Sequence, residues 1–552
     1  MTNSVLPLDH DRTQLTQSQD ETSPLLNCSI KPTSCLKGNT KYSLSLILPA
    51  LWIGSFLSAL DGTIVATTLT AISEDFHEES LKSWIATSYL LTNCSFQPLY
   101  GKISDIIGRK YPLLFSQACF GIGLLLSFLT PKGWFWGFVV SRGISGIGGG
   151  GLSALSSIIV SDIVSLEERG LFQGYANLNY AVGQLIGAPL GAWVIKYFGW
   201  RWLFFCQIPF VSLAMWLTYN NVNIDLPGAS ETDKVKRLKE RVDFKGSFCI
   251  VVCITAFLLT LSLTNISTGL STVLKVIVVV SFYCFVYVEK YVADEQILPL
   301  HLLQGTVGVC GGLSFVSSFI LFSLLYQAPS YVQIVQDQSI QTSANYLIAS
   351  VVSASIGSLL SGVILKRCKG DIRTTGLWIT FFSMVLITAA CLCMCLIVSF
   401  VKVYDETESY SYPLIFGSAM LGLGSGLSLV AVLVVIVAIV GKEGQATATG
   451  MNYLFRSTAQ VLGAGVSLSL FSTNLNKTLW DVLKDQENGR FIYEKLLEDA
   501  ALLKDYIKDQ DLVLKVVDCY RTAFGFSLYP CYFLAVVGFV LSLWLSLKGI
   551  RN

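Results

Sequence analysis

Three charged side chains fall inside stretches otherwise too apolar to hold them. They are Asp61 in Leu60-Asp61-Gly62-Thr63-Ile64-Val65-Ala66, Arg142 ahead of Gly143-x-x-Gly146-x-Gly148-Gly149-Gly150-Gly151, and Arg456 in the run that begins near 447. A charge inside hydrocarbon is costly, so it is expected to be paired, to titrate, or to meet a charged solute. Asp61 is the one acidic residue in the interior of any expected span. Counting about 1.5 Å per residue from opposite membrane faces brings Asp61 and Arg142 to similar depths, which predicts that they neutralise one another in at least one state. Alternatively, Asp61 titrates alone or meets a cationic solute directly. Arg456, near the midplane of its span, either binds an anionic group such as a carboxylate or is held by neighbouring carbonyls. Such groups can bind protons and recognise charge. They do not break bonds, and no nucleophile–base pair, phosphate loop or metal cluster accompanies them. The 15 cysteines sit mostly in apolar runs, as small buried hydrophobes, and His10, His77 and His301 lie outside the spans, so no metal is expected.

These residues need membrane helices to carry them. Of 552 residues 53% are hydrophobic and 14% charged, and a mean hydropathy of +0.59 leaves too little polar surface for one soluble globule. A spanning helix needs about 20 apolar residues. Fourteen stretches qualify, at 43–70, 82–101, 111–129, 134–160, 171–195, 201–220, 246–264, 270–290, 306–328, 343–365, 375–400, 411–440, 447–472 and 521–546. The expected fold is an all-α polytopic membrane protein. A polar tail over 1–42, without an apolar h-region, reads as disordered. A six-helix bundle over 43–220 follows, then a basic linker over 221–245, two inserted helices over 246–290 and a loop over 291–305. Five helices of a second bundle occupy 306–472, a long loop 473–520, and the last helix with a short tail 521–552.

Lys102, Arg109, Lys110, the basic linker, Lys366, Arg367, Lys369 and Arg373 fall on one side, which the positive-inside rule makes cytosolic. An even number of spans keeps both termini there and puts 473–520 on the opposite side. The sequons Asn265-Ile266-Ser267 and Asn476-Lys477-Thr478 share that opposite side, as glycosylation at Asn265 and Asn476 requires. A net charge of +1 points to no nucleic acid; the expected partner is the lipid bilayer.

Gly174, Gln184 and Gly187 in the fifth span recur at identical spacing as Gly450, Gln460 and Gly463 in the thirteenth, the mark of a chain built from related halves. Gly183, Gly187 and Gly191 share one helix face and permit close contact, while Pro189 deletes a backbone hydrogen bond and bends the helix. Asn93, Gln97, Asn177, Gln184, Asn452 and Gln460 offer polar groups to a central cavity or to helix–helix hydrogen bonds. In Gly101-Lys102-Ile103-Ser104-Asp105-Ile106-Ile107-Gly108-Arg109-Lys110, Asp105 and Arg109 sit four apart around a turn. Such charges can latch in one conformation and part in another, and also anchor the positive side. In the tail, Glu21-Thr22-Ser23-Pro24-Leu25-Leu26 fits the acidic dileucine pattern that a clathrin-type adaptor reads on the way to a lysosome or vacuole.

The spacing of Gly101, Asp105, Gly108, Arg109 and Lys110 resembles the loop signature between helices 2 and 3 of the major facilitator superfamily of secondary transporters. Gly183-x-x-x-Gly187-Ala188-Pro189-x-Gly191 resembles the glycine–proline helix of its antiporters, with Ala188 as a departure, and Arg142 matches the arginine of the span-four motif. That resemblance implies a part for Arg142 in proton coupling; its other reading is counter-ion and helix glue. Leu60 to Ala66 resembles the L-D-x-T-I-V motif of the fourteen-helix drug:proton antiporter branch. Together with Trp84 to Thr92, Gln97 to Lys102 and Gly170-x-x-Gln173-Gly174-Tyr175-Ala176-Asn177, these segments are similar to the fungal vacuolar basic amino acid transporters, from residue 43 onward. The resemblance implies a major facilitator fold of two six-helix bundles plus two extra central helices. It also implies no cofactor, a vacuolar membrane address, and proton-driven movement of lysine, arginine and histidine from cytosol to vacuole. The arginines can hold the substrate's α-carboxylate; if Asp61 is tied to Arg142, no carboxylate in a span is left for the cationic side chain. Two alternatives stand beside this one: a plasma-membrane exporter of drugs or organic cations, and a nutrient sensor that no longer transports.

Overall fold

Apolar runs of bilayer length satisfy their backbone N–H and C=O groups internally as helices, and the chain obeys this throughout a computed structural model. It describes residues 44–78, 83–222, 244–262, 268–292, 305–400 apart from 337, 339 and 369, 411–441, 444–498 apart from 485, 487 and 488, and 509–551. All belong to one compact unit, Ser43–Asn552. The tail with Glu21, Leu25 and Leu26, most of the basic linker, Asn265 and most of the 291–305 segment lie outside the described residues.

The first bundle consists of α1 (Leu44–Asp75), α2 (Ser83–Ile107), α3 (Lys110–Leu129), α4 (Phe135–Ile163), α5 (Leu166–Phe198) and a sixth span broken into α6 (Arg201–Phe205) and α7 (Ile208–Asn221). Helices α8 (Phe244–Ser262) and α9 (Thr268–Tyr291) are inserted. The second bundle has α10 (Thr306–Ile334), α11 (Ile340–Arg367), α12 (Ile372–Phe400), α13 (Ser411–Val440) and α14 (Gln445–Leu483), then the short α15 (Gly489–Glu498) and the last span, α16 (Gln510–Arg551). Among the described residues, eleven of the spans are long and apolar enough to cross a membrane by length and composition. The other three are α2, α8 and α14. Helices α2 and α14 are less apolar because they carry polar groups such as Asn93, Gln97, Arg456 and Gln460 to a central cavity.

The segment 473–520, expected as a loop, is largely helical where described: α14 runs on to Leu483, α15 follows, and α16 starts at Gln510. Leu475, Leu479 and Leu483, one helical turn apart, are buried with Leu496 of α15 and Val516, Val517 and Tyr520 of α16. Tyr520 Oη also donates to Leu496 O at 3.0 Å. Hydropathy drops where the bilayer would end, but an apolar stripe continues and keeps the backbone helical.

The two bundles repeat one packing scheme. Helix α1 packs on α5, α2 on α4 and α3 on both α4 and α7; in the second bundle α10 packs on α14, α11 on α13 and α12 on both α13 and α16. Between bundles, α5 meets α11 and α14 meets α2. The inserted α8 lies across α2 and α14, with α9 against its outer side, where Val273, Val276, Val279 and Phe282 are exposed as a lipid-facing surface.

Asp75 ends α1 at the face away from the α2–α3 turn. Arg201 Nη1 lies 2.9 Å and Trp200 Nε1 3.2 Å from its Oδ2, with Lys132 Nζ at 3.5 Å from Oδ1. Burial pushes this carboxyl up, but the hydrogen bonds and charges of Arg201, Trp200 and Lys132 outweigh it and hold it below the ordinary 3.8. A depressed folded-state pKa contributes stability in full above the unfolded value, and that contribution is lost only as pH falls through the lower folded value. Asp75→Asn is therefore expected to lower thermal stability by about 1 kcal/mol, and equally at about pH 5 and pH 7. Melting curves in detergent at the two pH values check this.

Candidate functional site

Helix α4 is a glycine-dense rod, and the absent side chains let it sit close between α2 and α3. A Cβ on Gly146 would stand 2.3 Å from Tyr89 O, one on Gly150 2.5 Å from Asn93 O, and one on Gly148 2.4 Å from Phe120 N. That fit leaves Arg142 pointing at α1. Its Nη2 lies 2.9 Å from Asp61 Oδ2, and Nη1 donates to Oδ1 at 3.1 Å, with the two side chains 1% and 0% exposed. The pair is a buried ion pair held by one charge-assisted hydrogen bond, and Asp61 Oδ2, though close to Nη2, has no hydrogen-bond partner among the described residues. The guanidinium carbon also lies 4.7 Å from the ring centroid of Tyr89 and 5.6 Å from that of Phe204, a further attraction where water is excluded. Tyr89 Oη lies 2.9 Å from Ser58 Oγ. Ser58 lines the central cavity, whereas Asp61 and Arg142 are not among its lining residues.

The α2–α3 turn forms a second polar constellation. Gly108 has φ +90, a left-handed backbone that a side chain would strain. The turn brings Arg109 back over the end of α2. Arg109 Nη1 donates to Asp105 Oδ1 at 2.8 Å and to Ser104 Oγ at 2.8 Å, and its Nε donates to Asp162 Oδ2 on α4 at 2.7 Å. Burial works against the Arg109 charge, but Asp162 and Asp105 hold its pKa above the ordinary value. The other oxygen of each carboxylate faces the second bundle: Thr447 Oγ1 donates to Asp105 Oδ2 at 3.0 Å and Gln445 Nε2 to Asp162 Oδ1 at 3.1 Å. One guanidinium thus orients two carboxylates that reach across to α14.

Around this latch the bundles meet backbone to backbone. A Cβ on Gly101 would lie 3.1 Å from Ala446 O and 3.3 Å from Gly450 Cα; one on Gly362 of α11 would lie 2.4 Å from Gly170 O of α5. Lys366 Nζ meets Glu168 Oε1 at 2.9 Å, half-exposed. Farther in, Cys94 Sγ of α2 lies 3.3 Å from Ser457 Oγ and 3.4 Å from Thr458 Oγ1 of α14. The cavity is therefore sealed on the face that bears the α2–α3 turn.

Above the seal the bundles enclose about 1270 Å³ of empty space, mouth included. Its wall is rich in serine and carboxamide side chains from both halves, with Leu321, Phe322, Leu325 and Leu429 as an apolar patch. Arg456 is the only charged residue among those lining it, and no carboxylate is. The Arg456 guanidinium lies 4.6 Å from the Tyr453 ring centroid. Asn93, Gln97, Asn177, Gln184 and Gln460 all line the cavity. Asn452 does not; it is 3% exposed within the packing of α14. Gln97 Nε2 donates to Asn93 Oδ1 at 3.0 Å and to Ser153 Oγ at 3.4 Å, while Gln97 Oε1 and Ser156 Oγ have no hydrogen-bond partner among the described residues.

The sequence repeat is realised in space. Gly187 packs on Thr63 and Leu60 of α1, and Gly463 on Phe319 of α10; Gly174 packs on Leu359 of α11, and Gly450 on Gly101 and Pro98 of α2. Gln184 and Gln460 face the cavity together, and the same register sets Tyr180 opposite Arg456. Gly183 lies against Phe56 O, so the glycine face of α5 is its seam with α1, and Pro189 stands within that helix. Asn476 lies exposed on the extension of α14.

Sequence reasoning missed Asp162, Gln445 and Thr447 of the latch, and Tyr89 beside Arg142. Asp162 falls just past the expected span end at 160, where an acid looks like ordinary membrane-surface polarity. An arginine and two aspartates near the ends of consecutive spans were the available signal.

The chain matches the model of the Major Facilitator Superfamily over residues 51–464. It is 38% identical over 531 residues, 92% of this chain and 93% of the relative, to vacuolar basic amino acid transporter 1 of Saccharomyces cerevisiae. It is 35% identical over 515 residues, 91% of this chain and 92% of the relative, to the multidrug resistance protein fnx1 of Schizosaccharomyces pombe. Among solved structures, the human organic anion transporter MFSD10 shares the fold with a TM-score of 0.54 at 15% identity, over 90% of this chain and 99% of that one.

Proposed function

This chain belongs to the Major Facilitator Superfamily as a multi-pass membrane transporter, and we propose that it is a proton-coupled antiporter moving lysine, arginine and histidine from cytosol into the vacuole. The central cavity carries this proposal: Arg456, its one charged lining residue, suits an α-carboxylate amid hydroxyls and amides, in a chain similar to a vacuolar basic amino acid transporter.

The latch face, which collects Lys102, Arg109, Lys110, Lys366 and Arg373, is cytosolic on this reading. Both termini then lie in the cytosol. The conformation is the one closed to the cytosol, and Asn476 is a lumenal glycosylation site, as is Asn265. Asp61 accepts the driving proton. Protonation removes the negative partner of Arg142, and the free energy of that unpaired buried charge biases the exchange between the two access states. Gly101, Asp105, Gly108, Arg109 and Lys110 act as the cytosolic gate, and the Gly183, Gly187, Pro189 and Gly191 helix as the rigid seam that moves with α1. Glu21, Leu25 and Leu26 direct the protein to the vacuolar membrane through an adaptor.

Export of organic cations or drugs at the plasma membrane is the second reading. The apolar patch of Leu321, Phe322, Leu325 and Leu429 favours it, as does similarity to a multidrug resistance protein.

Uptake of labelled lysine, arginine and histidine into energised vacuolar vesicles separates the two. Uptake is expected to exceed that of vesicles lacking the chain and to collapse with a protonophore. Arg456→Gln is expected to raise the KM for arginine about tenfold or more, the effect of losing one charge-assisted hydrogen-bonded contact. Uptake equal to that of vesicles without the chain would remove the first reading.

A further inference from the structure

A lysine or arginine side chain carries a positive charge into the cavity, yet no carboxylate lines it, and Asp61 is buried outside the lining in an ion pair with Arg142. Something neutral must meet that charge. On the first-bundle wall, Gln97 and Ser156 are 5% and 3% exposed, and both line the cavity. The Gln97 amide is held in one orientation by donation from Nε2 to Asn93 Oδ1 at 3.0 Å and to Ser153 Oγ at 3.4 Å. The Ser153 hydroxyl in turn donates to Gly149 O and Gly150 O, both at 3.2 Å, so it serves Gln97 as acceptor. Gln97 Oε1 is left without a hydrogen-bond partner among the described residues, and so is Ser156 Oγ, from the helix neighbour three residues beyond Ser153. A buried oxygen left unmatched is costly, and two of them on one cavity wall point to a donor that arrives with the substrate.

We propose that Gln97 Oε1 and Ser156 Oγ form a charge-neutral subsite for the cationic end of the substrate side chain. This rests on the reading of the chain as a basic amino acid transporter and deepens it. An ammonium carries three donors and a guanidinium five, with no acceptor on either, so they match oxygens that lack a donor. Bound this way, the substrate has its carboxylate on Arg456 of the second bundle and its cation on α2 and α4 of the first. It bridges the two bundles. Amide and hydroxyl oxygens do not titrate between a neutral and an acidic compartment. The subsite therefore recognises the cation without competing for the driving proton, which is left to Asp61.

The test uses the full chain in energised vesicles, with labelled arginine as the transported species and lysine or norleucine as competitor. Norleucine keeps the carbon chain of lysine and lacks only the ammonium. Wild type is expected to be inhibited by lysine at about tenfold or more lower concentration than by norleucine, the range of a hydrogen bond to a charged group. Gln97→Leu and Ser156→Ala are each expected to shrink that ratio, and Gln97→Glu, which keeps an acceptor, to preserve it. A fault in packing alone would lower uptake without changing the ratio. If Gln97→Leu fails to reach the membrane, Ser156→Ala decides, since it removes only an oxygen. A ratio unchanged in the variants, or a wild type that transports arginine without preferring lysine to norleucine, overturns the subsite. Wild-type vesicles that take up no arginine overturn instead the functional reading on which it rests.

Discussion

Asp61→Asn is expected to destabilise the folded protein by about 3–5 kcal/mol and to stop transport, and adding Arg142→Gln is expected to restore most of the stability but not the transport. The aspartate is 0% and the arginine 1% exposed, and they form an ion pair with N–O distances of 2.9 and 3.1 Å. Removing one partner leaves a bare charge in a dry core, which costs more than the intact pair contributes. Removing both leaves two neutral amides and no buried charge. Asp61→Asn alone keeps Arg142 over the Tyr89 ring, and that attraction offsets about 1 kcal/mol of the loss. Melting temperatures in detergent for the two single variants and the double variant give the coupling, and substrate counterflow gives the transport. Additive losses in both measurements would show that the two residues do not act as a unit.

Gly362→Val is expected to arrest the transporter with the latch-side gate open, lowering counterflow by about a hundredfold or more. A Cβ there would stand 2.4 Å from Gly170 O and 2.8 Å from Leu171 Cα, both backbone atoms on the opposing helix. Neither can turn aside as a side chain would. Gly62→Ala is the control, because nothing lies within 4 Å of a Cβ at that position. Cys94 reports the state: it is 1% exposed, pressed between α2 and Ser457 and Thr458 of α14. Maleimide labelling at Cys94, identified by its loss in Cys94→Ser, is expected to rise in the arrested variant. Normal counterflow with Cys94 still protected would mean that the α5–α11 seam is not a moving gate.

The sequence made the scaffold readable because hydrocarbon punishes every departure from apolar helix, so spans, inserted helices and the related halves all leave marks in composition and spacing. It also led to Asp61 and Arg142 together, since two charges in hydrocarbon at equal depth have few other partners. The helices within 473–520 leave no mark in hydropathy, which reports the membrane boundary, whereas Leu475, Leu479 and Leu483 sustain the helix beyond it. Asp162 was missed because its value depends on Arg109 folding back around Gly108, a tertiary event without a local signature. The cavity was only half legible. Its carboxamides stood out, but the serines that make up much of the wall have ordinary helical neighbours and give no periodic signal. Tyr89 was invisible for a similar reason, since one phenol among 23 tyrosines carries no mark of the arginine it faces.

Tyr180 and Arg456 occupy the same place in two copies of one template. A perfectly symmetric chamber would accept an elongated solute head-first or tail-first with equal ease, and half its encounters would be the wrong way round. Among the positions where the copies differ, phenol in one and guanidinium in the other puts a charge on one side only, and that ends the degeneracy. The related halves make the vessel, and a charge present in only one of them gives it a compass.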